Sequence, residues 1–267
     1  MAVARVDILA GKGTEELLES RFYSLCSGVW IESRGENVLI KCYPSDTGDL
    51  LAYLRDSNLP VVSITSVEEE EKDYVALVRK HFRPLAIGSL TVLPPWTKTG
   101  KKGHTLVIEP GMAFGTGRHE STKLMVKMMN DVNIEGKSVL DIGSGSGILA
   151  LYASLLGASQ VVAVDHDPLS TEAIRKSCDL NNVDALLIAC AHLENIRGSF
   201  DVVLANLDFD TFSRYSAQVT ERVGNGGYLI MSGIEQQYAG RIRPLFASFT
   251  LLKRRKMKDW YGFIFRR

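Results

Sequence analysis

The run Val139-Leu140-Asp141-Ile142-Gly143-Ser144-Gly145-Ser146-Gly147 constrains this chain more than any other. An apolar stretch ends in an acid and is followed by three glycines within five residues. Glycine accepts positive φ and lets a ligand or another backbone come close, so the run reads as a strand breaking into a tight loop. A helix is expected over 148–156, a strand over 161–164 and a helix over 168–181. Further strands are expected over 186–189, 202–205 and 228–232. Nearly all-apolar strands alternating with helices imply an α/β fold with a parallel sheet covered on both faces. Such sheets bind ligands at the carboxyl ends of their strands. The chemistry is therefore expected at Asp141–Gly147, Asp165, 191–194 and Asn206.

The loop spacing narrows the ligand. A dinucleotide fingerprint needs G-x-G-x-x-G, which would put a third glycine at 148, and residue 148 is isoleucine. Here Gly143, Gly145 and Gly147 follow an acid, Asp141. A carboxylate beside the loop repels a pyrophosphate and favours an ammonium group. Asp165, at the end of the next strand, stands where an acid accepts hydrogen bonds from ribose hydroxyls. A ribose joined to a cationic amino-acid end, without phosphate, describes S-adenosylmethionine. Asn206, at a later strand end, is placed to orient a substrate amine or to bind the cofactor.

Composition removes other classes. The 267 residues are 45% hydrophobic and 23% charged, as in an ordinary globular protein, with 31 basic and 31 acidic residues. The balance conceals an asymmetry: residues 1–70 hold six Lys/Arg against twelve Asp/Glu, so the front is acidic and the remainder basic. An acidic front favours a basic partner. Residues 142–164 carry no charge and are long enough to span a bilayer, but eight of the 23 are Gly or Ser, so a loop, buried helix and strand are expected instead. The four cysteines form no C-x-x-C pair and residues 1–10 lack an apolar signal core. A cytoplasmic chain with reduced thiols, no metal site and no membrane segment is expected, and monomer is the default state.

The first 66 residues suggest a second, smaller unit. Strands are expected over 3–9, 29–33, 38–43 and 60–65, with helices over 13–25 and after Asp46; the order β-α-β-β-α-β is the ferredoxin-like arrangement. Arg34-Gly35-Glu36-Asn37 reads as the hairpin turn. Glu68–Glu71 suits the start of a linker, and a connecting helix is expected over 74–81. The expected organisation is thus 1–67, a linker over 68–103, and 104–267 for the main domain.

One further segment carries a longer signature. Pro110-Gly111-Met112-Ala113-Phe114-Gly115-Thr116-Gly117-Arg118-His119-Glu120-Ser121-Thr122 resembles the P-G-x-A-F-G-T-G-x-H-x-[ST]-T signature of bacterial ribosomal protein methyltransferases of the PrmA type. His81-Phe82-Arg83-Pro84 with Leu93-Pro94-Pro95-Trp96 is similar to that family's linker. The resemblance implies a Rossmann-like class I methyltransferase domain behind a small ferredoxin-like α+β domain that recruits the protein substrate. It implies methylation of lysine or α-amino groups of the eleventh large-subunit ribosomal protein, with S-adenosylmethionine as donor. It also implies cofactor contacts at Thr116, Gly143, Asp165 and Asn206.

Two departures bear on the substrate. Leu207-Asp208-Phe209-Asp210-Thr211 follows Asn206 where small or apolar residues are expected, so Asp208 or Asp210 beside the target amine would change substrate choice. The aromatic tail Trp260-Tyr261-Gly262-Phe263 is a second. His119 is read as a positioning residue only, because no base is compelled by the chemistry. A methyltransferase for another protein or a small molecule is the nearest alternative. A nicotinamide-dependent oxidoreductase and a non-catalytic adaptor stand further off. Lys253-Arg254-Arg255-Lys256 and Lys258 form the one strong basic run; in a terminal hairpin it reads as a solvated strand edge, and no direct nucleic-acid contact is expected.

Overall fold

The computed structural model describes residues 2–70, 83–97, 103–109 and 117–267. These fall into two compact units, one from the residues up to 83 and one from those beyond. The helix expected over 74–81 and most of the polar break at 98–103 lie outside the described residues.

The first unit is a four-stranded antiparallel sheet of β1 (Ala2–Gly11), β2 (Cys26–Arg34), β3 (Asn37–Pro44) and β4 (Val61–Glu70). Its spatial order β2-β3-β1-β4 is that of the ferredoxin-like split βαβ. Alternation sorts the strands: Val6, Ile8, Ala10, Val38, Ile40 and Cys42 point into one core with Phe22, Leu50 and Leu54. Gly35, at φ +63°, makes the β2–β3 turn. Helix α2 (Thr47–Asp56) starts where Asp46 accepts the Asp49 N–H at 3.0 Å.

Two expectations change here. The helix expected over 13–25 is a 3₁₀ turn (Thr14–Glu16) and a separate single turn, α1 (Ser20–Ser24). Gly13, at φ +95°, and extended Glu19 interrupt the spacing, and neither helical turn receives a side-chain cap. Strand β4 runs on through Glu68, because ten-residue β1 offers it a ladder that reaches Glu70.

The second unit contains a short sheet, β5 (Leu85–Ile87), β6 (Leu90–Leu93) and β7 (His104–Val107). β5 and β6 lie within the segment expected to be linker. The small sheet joins the larger core through Ile87 of β5, Leu90 and Val92 of β6, and Leu106 of β7.

The main sheet has the order β10-β9-β8-β11-β12-β14-β13. β8 (Ser138–Ile142), β9 (Gln160–Asp165), β10 (Leu186–Cys190), β11 (Phe200–Asn206) and β12 (Val223–Glu235) pair in parallel. β13 (Thr250–Met257) and β14 (Trp260–Arg266) close it as an antiparallel hairpin. Neighbouring residues face opposite sides. Val139, Val202, Leu204 and Ile264 pack with α3 (Glu120–Met129), α4 (Ile148–Leu155) and α5 (Pro168–Asn181). Leu140, Val203, Met231 and Phe263 pack with α6 (Phe209–Arg222) and α7 (Ile242–Leu245). Strand order reverses between β8 and β11, which opens a crevice at their carboxyl ends. Among the described residues no helix is long and apolar enough to cross a membrane.

Candidate functional site

The glycine loop joins β8 to α4, and three positive-φ glycines shape it: Gly143 at +66°, Gly145 at +55° and Gly147 at +79°. Gly143 and Ser144 donate to Val164 O at 2.9 and 3.1 Å, tying the loop to the end of β9. The space around the glycines is close. A Cβ at Gly143 would lie 2.5 Å from Leu207 Cδ2, and one at Gly147 would lie 3.1 Å from Ile174 Cγ2.

Asp141 sits beneath the loop at 1% exposure. Its Oδ2 accepts from Ser144 Oγ at 2.5 Å and from Ala150 N at 3.2 Å, so the carboxyl holds loop and helix together. Its Oδ1 is buried and has no hydrogen-bond partner among the described residues. Burial pushes this carboxyl up to about 7; the Ser144 and Ala150 hydrogen bonds oppose the rise, and the Asp165 charge adds to it.

Asp165 ends β9 and is also buried. Its Oδ2 accepts the Gly145 N–H at 2.9 Å and its Oδ1 the Asp167 N–H at 3.0 Å. Two backbone bonds fix the carboxylate against the loop, and each oxygen keeps a lone pair for a further donor. His166 follows, with Nδ1 3.6 Å from Asp165 Oδ1, and its ring stacks on His192 after β10 at 5.7 Å between centroids.

On the other side of β8, Asn206 ends β11. Its Nδ2 donates to Thr122 Oγ1 at 3.4 Å, while its Oδ1 is buried without a partner among the described residues. Thr122, at 1% exposure, thus turns the amide so that its acceptor remains open. His119 caps α3: its Nδ1 accepts the Ser121 N–H at 3.3 Å and lies 2.7 Å from Ser121 Oγ. Burial holds the His119 imidazole below its usual range, with Glu120 opposing and Lys123 and Lys258 assisting. Trp260 meets its ring edge-on at 4.5 Å.

Of the expected residues, Asp141, Gly143, Gly145, Gly147, Asp165 and Asn206 lie along one carboxyl edge of the sheet. Thr116 lies outside the described residues. Ser144, Thr122 and Trp260 were not singled out as site residues, though Thr122 closes the signature segment and Trp260 opens the aromatic tail. Asp208 has a local role: its Oδ1 accepts the Thr211 N–H at 2.7 Å and caps α6.

A ligand with an ammonium and a ribose fits this set. It would find an unserved buried carboxyl oxygen and a fixed acceptor at the next strand end, beside a loop whose glycines at 143 and 147 pack against Leu207 and Ile174. Among the described residues no cluster of His, Cys, Asp or Glu could hold a metal ion.

The family model for ribosomal protein L11 methyltransferase (PrmA) matches residues 32–267. Curated relatives include a ribosomal protein L11 methyltransferase of Pelobacter propionicus, 36% identical over 79% of this chain and 71% of its own. Another, from Thermoanaerobacter pseudethanolicus, is 30% identical over 98% of this chain and 88% of its own. Among solved structures, the ribosomal protein L11 methylase of Lactobacillus delbrueckii subsp. bulgaricus is similar with a TM-score of 0.66. It is 25% identical and covers 70% of this chain and 99% of its own.

Proposed function

The chain belongs to the ribosomal protein L11 methyltransferase family, and on that premise we propose how its residues divide the work. The activity is S-adenosylmethionine-dependent methylation of ribosomal protein L11. The acceptors we assign to it are lysine Nζ and α-amino nitrogens. The observation that carries this reading is the two buried acceptors without a partner among the described residues, Asp141 Oδ1 beneath the glycine loop and Asn206 Oδ1 at the end of β11.

Asp141 Oδ1 receives the ammonium of the donor's amino-acid end. Asp165 receives its ribose hydroxyls, with Gly143, Gly145 and Gly147 giving close backbone access, and Thr116 of the signature is assigned as a further cofactor contact. Asn206 Oδ1 faces the acceptor amine and takes one of its N–H bonds, which points the nitrogen lone pair along a single line. Thr122 holds the amide in that sense. The bound donor supplies an electrophilic methyl group on a sulfonium.

What the protein adds is alignment, because in-line displacement gains most of its rate from holding nucleophile and carbon together. A lysine must first lose a proton, at about 4 kcal/mol near pH 7.5 from its reference pKa. A dry, apolar setting lowers that cost by disfavouring the ammonium form. His119 is engaged as a cap and acts as a positioning residue, with Trp260 beside it as an apolar wall.

The front unit, acidic over residues 1–70, recruits the basic protein substrate, and the catalytic domain is 104–267 together with the strands at 85–93 that share its core. The enzyme works as a cytoplasmic monomer and needs no nucleic acid. Asn206→Ala tests the central assignment. Turnover of L11 should fall at least tenfold while affinity for S-adenosylhomocysteine changes little. Equal losses in both would make Asn206 a cofactor ligand and leave the amine without its acceptor.

A further inference from the structure

We propose that Asp141 is protonated in the cofactor-free enzyme and gives that proton to solvent when the cofactor's ammonium arrives, so that cofactor binding releases a proton. The inference rests on the cofactor reading above and adds a proton balance to it.

The geometry carries the argument. Asp141 is at 1% exposure, withdrawn from bulk solvent. Oδ2 has two donors, the Ser144 hydroxyl and the Ala150 amide. Oδ1 has none among the described residues. A buried carboxylate with one oxygen unserved is costly, and taking up a proton relieves the charge. The titratable group facing it is Asp165 on β9, a second carboxylate, and Ser144 and α4 contribute neutral dipoles only. Among the described residues no cation offsets the charge, and burial pushes the carboxyl up to about 7.

An ammonium placed at Oδ1 shifts this balance. It supplies the missing donor, offsets one of the two carboxylate charges and so favours the charged form of Asp141. The proton leaves as the cation arrives, and the net charge of the pocket is preserved. Oδ1 then passes from an unserved oxygen to one half of an ion pair.

The test is calorimetry of the full chain with S-adenosylhomocysteine, in pairs of buffers with different ionisation enthalpies. Near pH 7 the wild type should release about half a proton, and affinity should fall about tenfold for each pH unit below 7 and level off above it. Asp141→Asn should bind with no buffer dependence over that range. Ser144→Ala, which keeps the carboxyl but removes a donor to its charged form, should move the release to higher pH. A wild type whose binding heat is the same in all buffers overturns the proposal, as does an Asp141→Asn variant that keeps the wild-type pH dependence. Failure of S-adenosylhomocysteine to bind at any pH sinks the cofactor reading itself and the proposal with it.

Discussion

Asp165 illustrates how one carboxylate can serve the fold and the ligand together. Its two oxygens accept the amide N–H groups of Gly145 and Asp167, and the proposed ribose contact uses the lone pairs left over. Asp165→Ala therefore removes a ligand acceptor and loosens the loop, and affinity for S-adenosylhomocysteine should drop on the order of 100-fold by calorimetry, the worth of two charge-assisted hydrogen bonds. Unchanged affinity would remove Asp165 from the site.

Asp141 makes a prediction about stability. Its folded carboxyl binds a proton more tightly than the unfolded one, so the stability it contributes is whole below pH 4 and is lost as pH rises through about 7. The loss is at most about 4 kcal/mol. Denaturant unfolding of Asp141→Asn should lack this slope between pH 4 and 7; a slope equal to the wild type's would contradict it.

The positions of these two acids were legible in the sequence because each stands at or next to the end of an apolar run, and Asp141 leads directly into the glycines, a strictly local pattern. Thr122 was not, since its bond to Asn206 joins residues 84 positions apart. Only the assembled sheet brings them together. Asp208 reads as a substrate determinant in the sequence; its further role as a cap is visible only in the structure, because capping is decided by where α6 begins.

Elements carry a different kind of information. β11 and β12 reach the site side by side, and Leu207 N donates to Ser232 O at 3.2 Å just beyond Asn206. Gly233, at φ +86°, sits against the Leu207 backbone, so a Cβ there would collide with the Leu207 carbonyl. Gly233→Ala combines a left-handed backbone with a contact that only main-chain movement can relieve. It should cost about 2 kcal/mol or more in denaturant unfolding and should lower methyl transfer, since Leu207 follows Asn206. Wild-type values of both would show that this crossing does not position the amide.

The basic hairpin shows strand alternation at work. On one face Lys253 and Arg255 pair with Asp131 at 2.9 Å each. On the other, Arg254 and Lys256 lie over the Tyr261 ring at 5.3 and 5.6 Å. The run that looks like one patch in sequence is divided by β13 into two unlike sides. Strand positions in the main sheet follow the apolar runs closely, whereas the helix expected over 13–25 breaks because helical spacing there lacks a cap.

At the scale of the molecule, a parallel sheet with both faces packed fixes the position of the carboxyl edge, and the chemistry follows from what ends there. The acidic front unit is the part of the chain whose charge favours a basic partner, which is why the proposed recruiting role is placed there. The fold class was readable because β-α alternation is a long pattern with few solutions. The strands at 85–93 were not, because three- and four-residue strands carry too little periodicity to separate from a linker.

The most direct measurement is intact-mass analysis of unmethylated ribosomal protein L11 after incubation with this enzyme and S-adenosylmethionine. The account predicts gains in whole methyl units that vanish with Asp165→Ala and fall with Asn206→Ala. No gain from an enzyme that binds S-adenosylhomocysteine in the same sample would contradict it.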